Sequence, residues 1–272
     1  MLPSPTRVDH AAFSPAQLAL ATLAAVAAGA VNALAGGGTL ITFPTLTALG
    51  LPAVAANVTN TLAVAPGALG GLLAQRRELA GQGRRVARLV PTALTGGLVG
   101  GVLLLHTNEA LFRRLVPWLI LAASALLAVQ ERLRAWLQRR LAAFAAAGGI
   151  AHGRHEEALA SGLVFVASIY GGYFGAGLGV ITLAVLGLVL HDSLTRLNAS
   201  KQAVGFAANL AAALLFAVGG PVYWLAAAVM AVGAVVGGVI GGHLAGRVRA
   251  GTLRVLVVTI GLVVGLVYLA RG

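Results

Sequence analysis

The chain has 272 residues, 59% of them hydrophobic and only 10% charged, with a net charge of +12. That balance excludes an ordinary soluble domain. Nucleic acid does not account for the charge, because the basic residues lie between apolar runs without interleaved aromatics. The absence of cysteine excludes disulfides, thiolate metal sites and iron–sulfur clusters.

In chain order, MLPSPTRVDHAAF lacks a basic flank followed by a cleavage site, so no removable signal peptide is expected. Uncharged runs follow at Ala16–Ala35, Ala53–Ala74, Leu89–Leu105, Leu115–Val129, Ala158–Leu190, Gln202–Val218, Val222–Leu244 and Val255–Ala270. Crossing a bilayer takes roughly 17–25 apolar residues, so an all-α polytopic membrane protein with about eight membrane segments is predicted.

Two stretches can be laid over each other. GAVNALAGGGTLITFPTLTALGLPAVAANVTNTLAVAPG and SIYGGYFGAGLGVITLAVLGLVLHDSLTRLNASKQAVGFAAN share one order of parts: apolar helix, glycine cluster, short apolar stretch, turn, and a polar cluster opening another helix. Three adjacent glycines cost a helix about 1 kcal/mol each relative to alanine. The chain should therefore break near Gly37 and again near Gly177. If each broken segment crosses, basic residues divide 12 against 7 between the faces; if each returns as a re-entrant hairpin, they divide 15 against 4. The stronger bias favours hairpins, with the basic face cytoplasmic. Three crossings per half then make the halves oppositely oriented, so two inverted repeats are expected: residues 1–130 and 158–272, each a glycine-broken helix pair plus three transmembrane helices. The basic link, residues 131–157, contains ERLRAWLQRRLAAF, which reads as an interfacial helix tethering the halves.

The half-helices after the breaks present unpaired N–H groups and positive dipole ends. Around them the sequence supplies Asn32, Gly37, Gly38, Thr39, Thr42, Thr59, Asn60, Gly177, Gly179, Ser200, Lys201 and Asn209, with Lys201 the only ammonium side chain in the chain. Such a set suits a small anion that must exchange water for protein donors. The blander account is that Asn, Ser and Thr join helices through hydrogen bonds, and that Lys201 snorkels to the cytoplasmic surface.

The sequons at Asn57 and Asn198 open apolar helices and read as accidental, and GAGLG at Gly175 follows no strand. Gly233, Gly237 and Gly241, with Gly238, Gly242 and Gly246, make a close-packing helix surface. His152 and His155 have metal-like spacing but no further ligands, so no metal site is expected. His106, Glu109, His191, Asp192 and His243 fall near predicted membrane edges, where one could carry a coupling proton. No nucleophile–base pair or metalloprotease motif points to an enzyme, and no cofactor is implied.

At Asn32, the glycine cluster, Pro44, Gly50-Leu51-Pro52 and Thr59-Asn60, and again at Tyr170 to Gly179, Ser200-Lys201, Asn209 and Gly219 to Trp224, the chain resembles the sulfite exporter TauE/SafE family of bacterial inner-membrane permeases. The similarity covers about residues 17–270. It implies export of sulfite, related oxyanions or organosulfonates across the cytoplasmic membrane without ATP hydrolysis. The chain departs from the family in having three glycines in the first cluster, where relatives often have more, and Gly171-Gly172 where many relatives place an aspartate. The expected partners are a small anionic substrate and the lipid bilayer, with a homodimer an allowed assembly and nucleic acid excluded. The competing expectation is a passive anion channel, or a permease for another small anion, using the same residues.

Overall fold

The computed structural model describes residues 13–34, 37–146, 154–244 and 250–271. Gly36, His152, Gly246, Arg7, Arg247 and Arg249 lie outside the described residues, as does the His155 side chain. Within them the chain forms α1 (Pro15–Leu34), α2 (Thr39–Ala48), α3 (Ala53–Ala74), α4 (Gly83–His106), α5 (Glu109–Ala146), α6 (Arg154–Tyr173), α7 (Leu178–Val189), α8 (Leu194–Gly219), α9 (Trp224–Leu244) and α10 (Ala250–Arg271), with no β-strand among the described residues. Helices α1, α4, α5, α8, α9 and α10 contain stretches long and apolar enough to cross a membrane, while α2 and α7 are short and apolar. Helix α3, at 22 residues, is about 33 Å long and also spans the bundle. Large apolar side chains such as Leu23, Val166, Val232 and Val255 face outward, as hydrocarbon solvent requires of a helical protein whose backbone bonds are satisfied internally. This is a multi-pass membrane protein.

Both glycine breaks turn the chain back on itself. Gly37 and Gly177 take left-handed conformations, φ +91° and +78°, which glycine adopts without a Cβ penalty. In the first hairpin Asn32 accepts a hydrogen bond from the Gly38 amide at 2.7 Å, and at the other end of the pair Gln17 Nε2 reaches the Leu49 carbonyl at 3.5 Å. Helix α2 therefore runs antiparallel to α1. It closes with Leu51 N–H bonded to the Leu46 carbonyl around Gly50, φ +98°, after which Pro52 opens α3. In the second hairpin Gly171 packs against Leu178 at the tip, while Leu190 returns to Glu157, Ala160 and Ser161 near the start of α6. Each broken segment thus folds back on itself as a hairpin.

Close glycine contacts fix the remaining directions. Along α9, Gly233 meets Thr22 and Gly241 meets Ala30, so α1 and α9 are parallel. Along α4, Gly96 meets Phe165 and Gly100 meets Ile169, so α4 and α6 are parallel; Gly97 against Ala208 and Gly101 against Phe216 make α8 parallel to them. Gly71 beside Gln202 and Gly220 beside Val58 set α3 antiparallel to α8, and Gly261 against Ser124 with Gly265 against Leu121 sets α10 antiparallel to α5. Odd-numbered helices run toward the end of the bundle bearing Arg76, Arg77, Arg84, Arg85, Arg88 and Arg196, and even-numbered helices run away from it. Arg113 and Arg114 lie near the opposite end.

The basic link differs from expectation. ERLRAWLQRRLAAF forms no separate surface helix; it continues α5, 38 residues and about 57 Å long, past the apolar stretch. The reason is packing. Leu137 is fully buried against Gly187, Arg140 donates to the Leu188 carbonyl at 3.0 Å, and the Phe144 ring stacks on His191 at 3.8 Å. The tail of α5 thus covers the base of the second hairpin.

Candidate functional site

The two hairpin tips approach the same stretch of α5. Gly177 lies beside Ala123 and Leu126, and Gly37 lies beside Leu127, one turn further on. Entering from opposite ends, the hairpins overlap side by side near the middle of the α5 apolar stretch.

On the side away from the basic end the overlap is sealed. Phe43 of α2 meets Phe174 at 5.5 Å between ring centroids in an edge-to-face arrangement, and Phe112 and Tyr173 complete the cluster. Phe43 and Phe112 are fully buried. Such pairs gain about 0.5–1.5 kcal/mol beyond their area burial.

The polar clusters divide their work by position. In NVTN, Asn57 donates to the Tyr173 carbonyl at 2.8 Å, capping the end of α6, and its own Oδ1 is buried without a partner. Thr59 accepts the Tyr223 amide at 3.1 Å. Asn60 accepts from the hydroxyl of Thr42, which also reaches the Gly38 carbonyl. In NASK, Asn198 donates to Gln75 at 2.7 Å and Ser200 to Gln82 at 2.9 Å. Lys201 instead lies along the tip of the second hairpin, its Nζ 4.0 Å from where a Cβ on Gly179 would stand. Asn209, two turns later on α8, approaches Gly175 in the same way at 3.7 Å.

The structure thus brings Asn32, Gly37, Gly38, Thr39 and Asn60 to the first tip, and Gly177, Gly179, Lys201 and Asn209 to the second. Thr59 and Ser200 are bonded elsewhere, tying α3 to the α8–α9 connection and α8 to the start of α4. Lys201 does not snorkel to the cytoplasmic surface; its ammonium is turned against Gly179, with no hydrogen bond or ion pair among the described residues.

Further groups went unremarked in the sequence. Thr182 on α7 is fully buried with an unpartnered hydroxyl, and Gln130 on α5 buries an unpartnered amide oxygen. Lining up ITF at 41–43 with ITL at 181–183 would have found Thr182 as the counterpart of Thr42.

The basic end carries a latch. Gln82, 3% exposed, accepts from Arg85 at 2.6 Å and from Ser200, and donates to the Arg196 carbonyl. Arg85 and Arg196 both hold Asp192, at 2.7 and 3.2 Å. Partial burial alone would raise the Asp192 carboxyl, but the hydrogen bonds from Arg85, the Ser193 amide and Arg196, with the Arg85 charge, hold it below the usual carboxylate range. Of the other edge residues, Glu109 caps α3 by accepting from the Ala53 and Val54 amides, and His106 and His243 each bond a carbonyl one turn back. Among the described residues no group of three acidic or histidine side chains could hold a metal ion.

The family profile described as Sulfite exporter TauE/SafE matches residues 21–268. A protein of Haemophilus influenzae named "Probable membrane transporter protein" is 29% identical over 207 residues, 75% of this chain and 76% of that one. "Probable membrane transporter protein YfcA" of Escherichia coli K12 is 26% identical over 222 residues, 81% of this chain and 77% of its own length. No solved structure matches.

Proposed function

The chain belongs to the sulfite exporter TauE/SafE family, and from that premise we propose that this membrane transporter exports small sulfur oxyanions, sulfite above all, or organosulfonates. The observation that carries the proposal is the overlap of two glycine-broken hairpins on one stretch of α5, with the ammonium of Lys201 turned inward beside the second tip. Broken helices whose N-terminal amides face the interior recur at anion sites of secondary transporters, because those amides and the helix dipole favour negative charge.

The opposite senses of the equivalent helices support reading the halves as inverted repeats, with alternating access as one half rocks on the other. In this reading the basic end is cytoplasmic, in keeping with the positive-inside rule, and the membrane is the bacterial cytoplasmic membrane. The aromatic cluster of Phe43, Phe112 and Phe174 then closes the external route, and the anion reaches Lys201, Asn209 and the α7 amides from within. Gly38 and Asn32 form the corresponding part of the first tip.

The test is flux of labelled sulfite in proteoliposomes, with and without a proton gradient. Saturable flux, accelerated by sulfite on the far side and abolished in Lys201→Ala, is expected. Flux that never saturates and ignores trans substrate would overturn the transporter reading in favour of a passive channel.

A further inference from the structure

The two hairpins differ at the positions that matter most for binding. Aligning the left-handed glycines Gly37 and Gly177 sets Thr42 against Thr182, Asn32 against Gly172 and, one residue later in offset, Asn60 against Lys201. In the first half these groups satisfy one another. Asn32 accepts the Gly38 amide, and the Thr42 hydroxyl is held by Asn60 and the Gly38 carbonyl.

In the second half the equivalent side chains, Thr182 and Lys201, make no hydrogen bond among the described residues. Glycine replaces the capping side chain of Asn32, and the Leu178 amide, counterpart of that of Gly38, bonds the Gly175 carbonyl at 3.2 Å instead; the Gly179 amide, like that of its counterpart Thr39, makes no backbone hydrogen bond. Thr182 is fully buried with no partner for its hydroxyl. It lies one turn after Gly179 on the same face of α7, the face against which Lys201 lies. Lys201 has no acid beside it; the charge that reaches it is the guanidinium of Arg134 on α5, a second cation. Of the acidic groups on neighbouring elements, Glu131 is paired with Arg254, Asp192 with Arg85 and Arg196, and Glu157 with Arg88. Gln130, one turn before Arg134, buries its unpartnered amide oxygen and, with the amide turned, would offer its N–H2 instead. Between Lys201 and Asn209 on the same face of α8, a Cβ on Gly205 would meet nothing within 4 Å. Buried hydroxyls without partners are rare in native proteins and call for a missing one.

Resting on the transport reading above, we infer that the substrate site is asymmetric: the second hairpin alone seats the anion, between Thr182, Lys201 and the free amide of Gly179, with Arg134 and Gln130 on its α5 side. The first hairpin is its structural counterpart, its side chains Asn32, Thr42 and Asn60 occupied with one another and the Gly38 backbone. Two cations and several donors without a carboxylate suit a sulfur oxyanion or sulfonate headgroup with its charge spread over three oxygens.

The experiment measures binding of sodium sulfite and sodium sulfate to the purified full chain in detergent, by ligand-dependent thermal shift. Lys201→Gln and Thr182→Val should each weaken sulfite binding about tenfold or more, the usual consequence of losing one hydrogen bond to a charged group. Thr182→Ser, which keeps the hydroxyl, should bind as wild type does and excludes a folding defect. Arg134→Gln should weaken binding several-fold, whereas Thr42→Val should lower the melting temperature and leave sulfite affinity within about twofold. Equal losses in Thr42→Val and Thr182→Val, or unchanged affinity in Lys201→Gln, would overturn the asymmetric seat and leave anion transport standing. No saturable binding of either anion to the wild-type chain would overturn both.

Discussion

Thr42 donates its hydroxyl to Asn60 across the α2–α3 contact, both side chains being at most 1% exposed. Removing the donor leaves the Asn60 carbonyl oxygen in the bundle without its partner, and a buried acceptor so stranded costs about 1–3 kcal/mol. Thr42→Val, which keeps the shape, is therefore expected to lower the melting temperature by several degrees. The double variant Thr42→Val with Asn60→Leu should recover part of the loss, because replacing both partners removes the stranded group. Thermal unfolding of the detergent-solubilised variants checks both outcomes.

Glycine placement in α9 gives a sharper contrast. A Cβ on Gly241 would lie 2.6 Å from the Ala30 carbonyl oxygen and one on Gly233 would lie 2.8 Å from that of Thr22, whereas Gly238 on the same helix faces open space. The close-approach glycines let two backbones meet, so even a methyl group must push α1 away from α9. Gly241→Ala should cost about 1–3 kcal/mol, typical of overpacking, and reduce the monodisperse fraction in gel filtration. Gly238→Ala, which removes backbone entropy from the unfolded chain, should be neutral or slightly stabilising.

Much of this was legible in the sequence because the signals were local. The glycine clusters foretold the breaks at Gly37 and Gly177, where the chain turns back on itself. The small residues of α9 foretold its packing on α1. The tail of α5 was misjudged because its amphipathic pattern fits a protein face as well as a lipid one, and only the depth of α7 beneath Leu137 decides between them. At the site, residue type located the polar clusters but could not say where each side chain turns. Thr59 and Lys201 occupy neighbouring positions in matching motifs, yet one binds a backbone amide and the other lies at a hairpin tip.

Glu109 closes the N-terminus of α3, its two oxygens accepting from Ala53 and Val54. A carboxylate there pairs two amides that a helix leaves unsatisfied and complements the positive dipole end. Pro52 in the N-cap position offers no side-chain acceptor of its own. Glu109→Ala should therefore cost about 1–2 kcal/mol, at the upper end for a lost cap, and Glu109→Gln less, since it keeps one acceptor. Hydrogen exchange at Ala53 and Val54 should accelerate in Glu109→Ala while exchange in the middle of α4 stays unchanged.

Asp192 gives the bundle a dependence on acid that can be read with its sign. Its carboxyl is held below the usual carboxylate range in the folded chain, through Arg85, the Ser193 amide and Arg196, against the opposing effect of burial. A depressed pKa means the unfolded chain binds the proton more readily, so the contribution is complete above the ordinary aspartate value, near pH ~4, and is lost as pH falls through the folded value. The latch joining α4 to the α7–α8 connection should therefore loosen only in strong acid and hold across neutral pH. Asp192→Asn removes the charge at every pH and leaves Arg85 and Arg196 facing each other without an anion. At pH 7 its melting temperature should lie below that of wild type, by roughly 2–4 °C for each kcal/mol lost. As pH drops below about 4 the wild-type curve should fall toward that of the variant, so the difference between them shrinks. A gap between the two proteins that stays constant from pH 7 to pH 3 would show that the Asp192 ion pairs contribute nothing to stability.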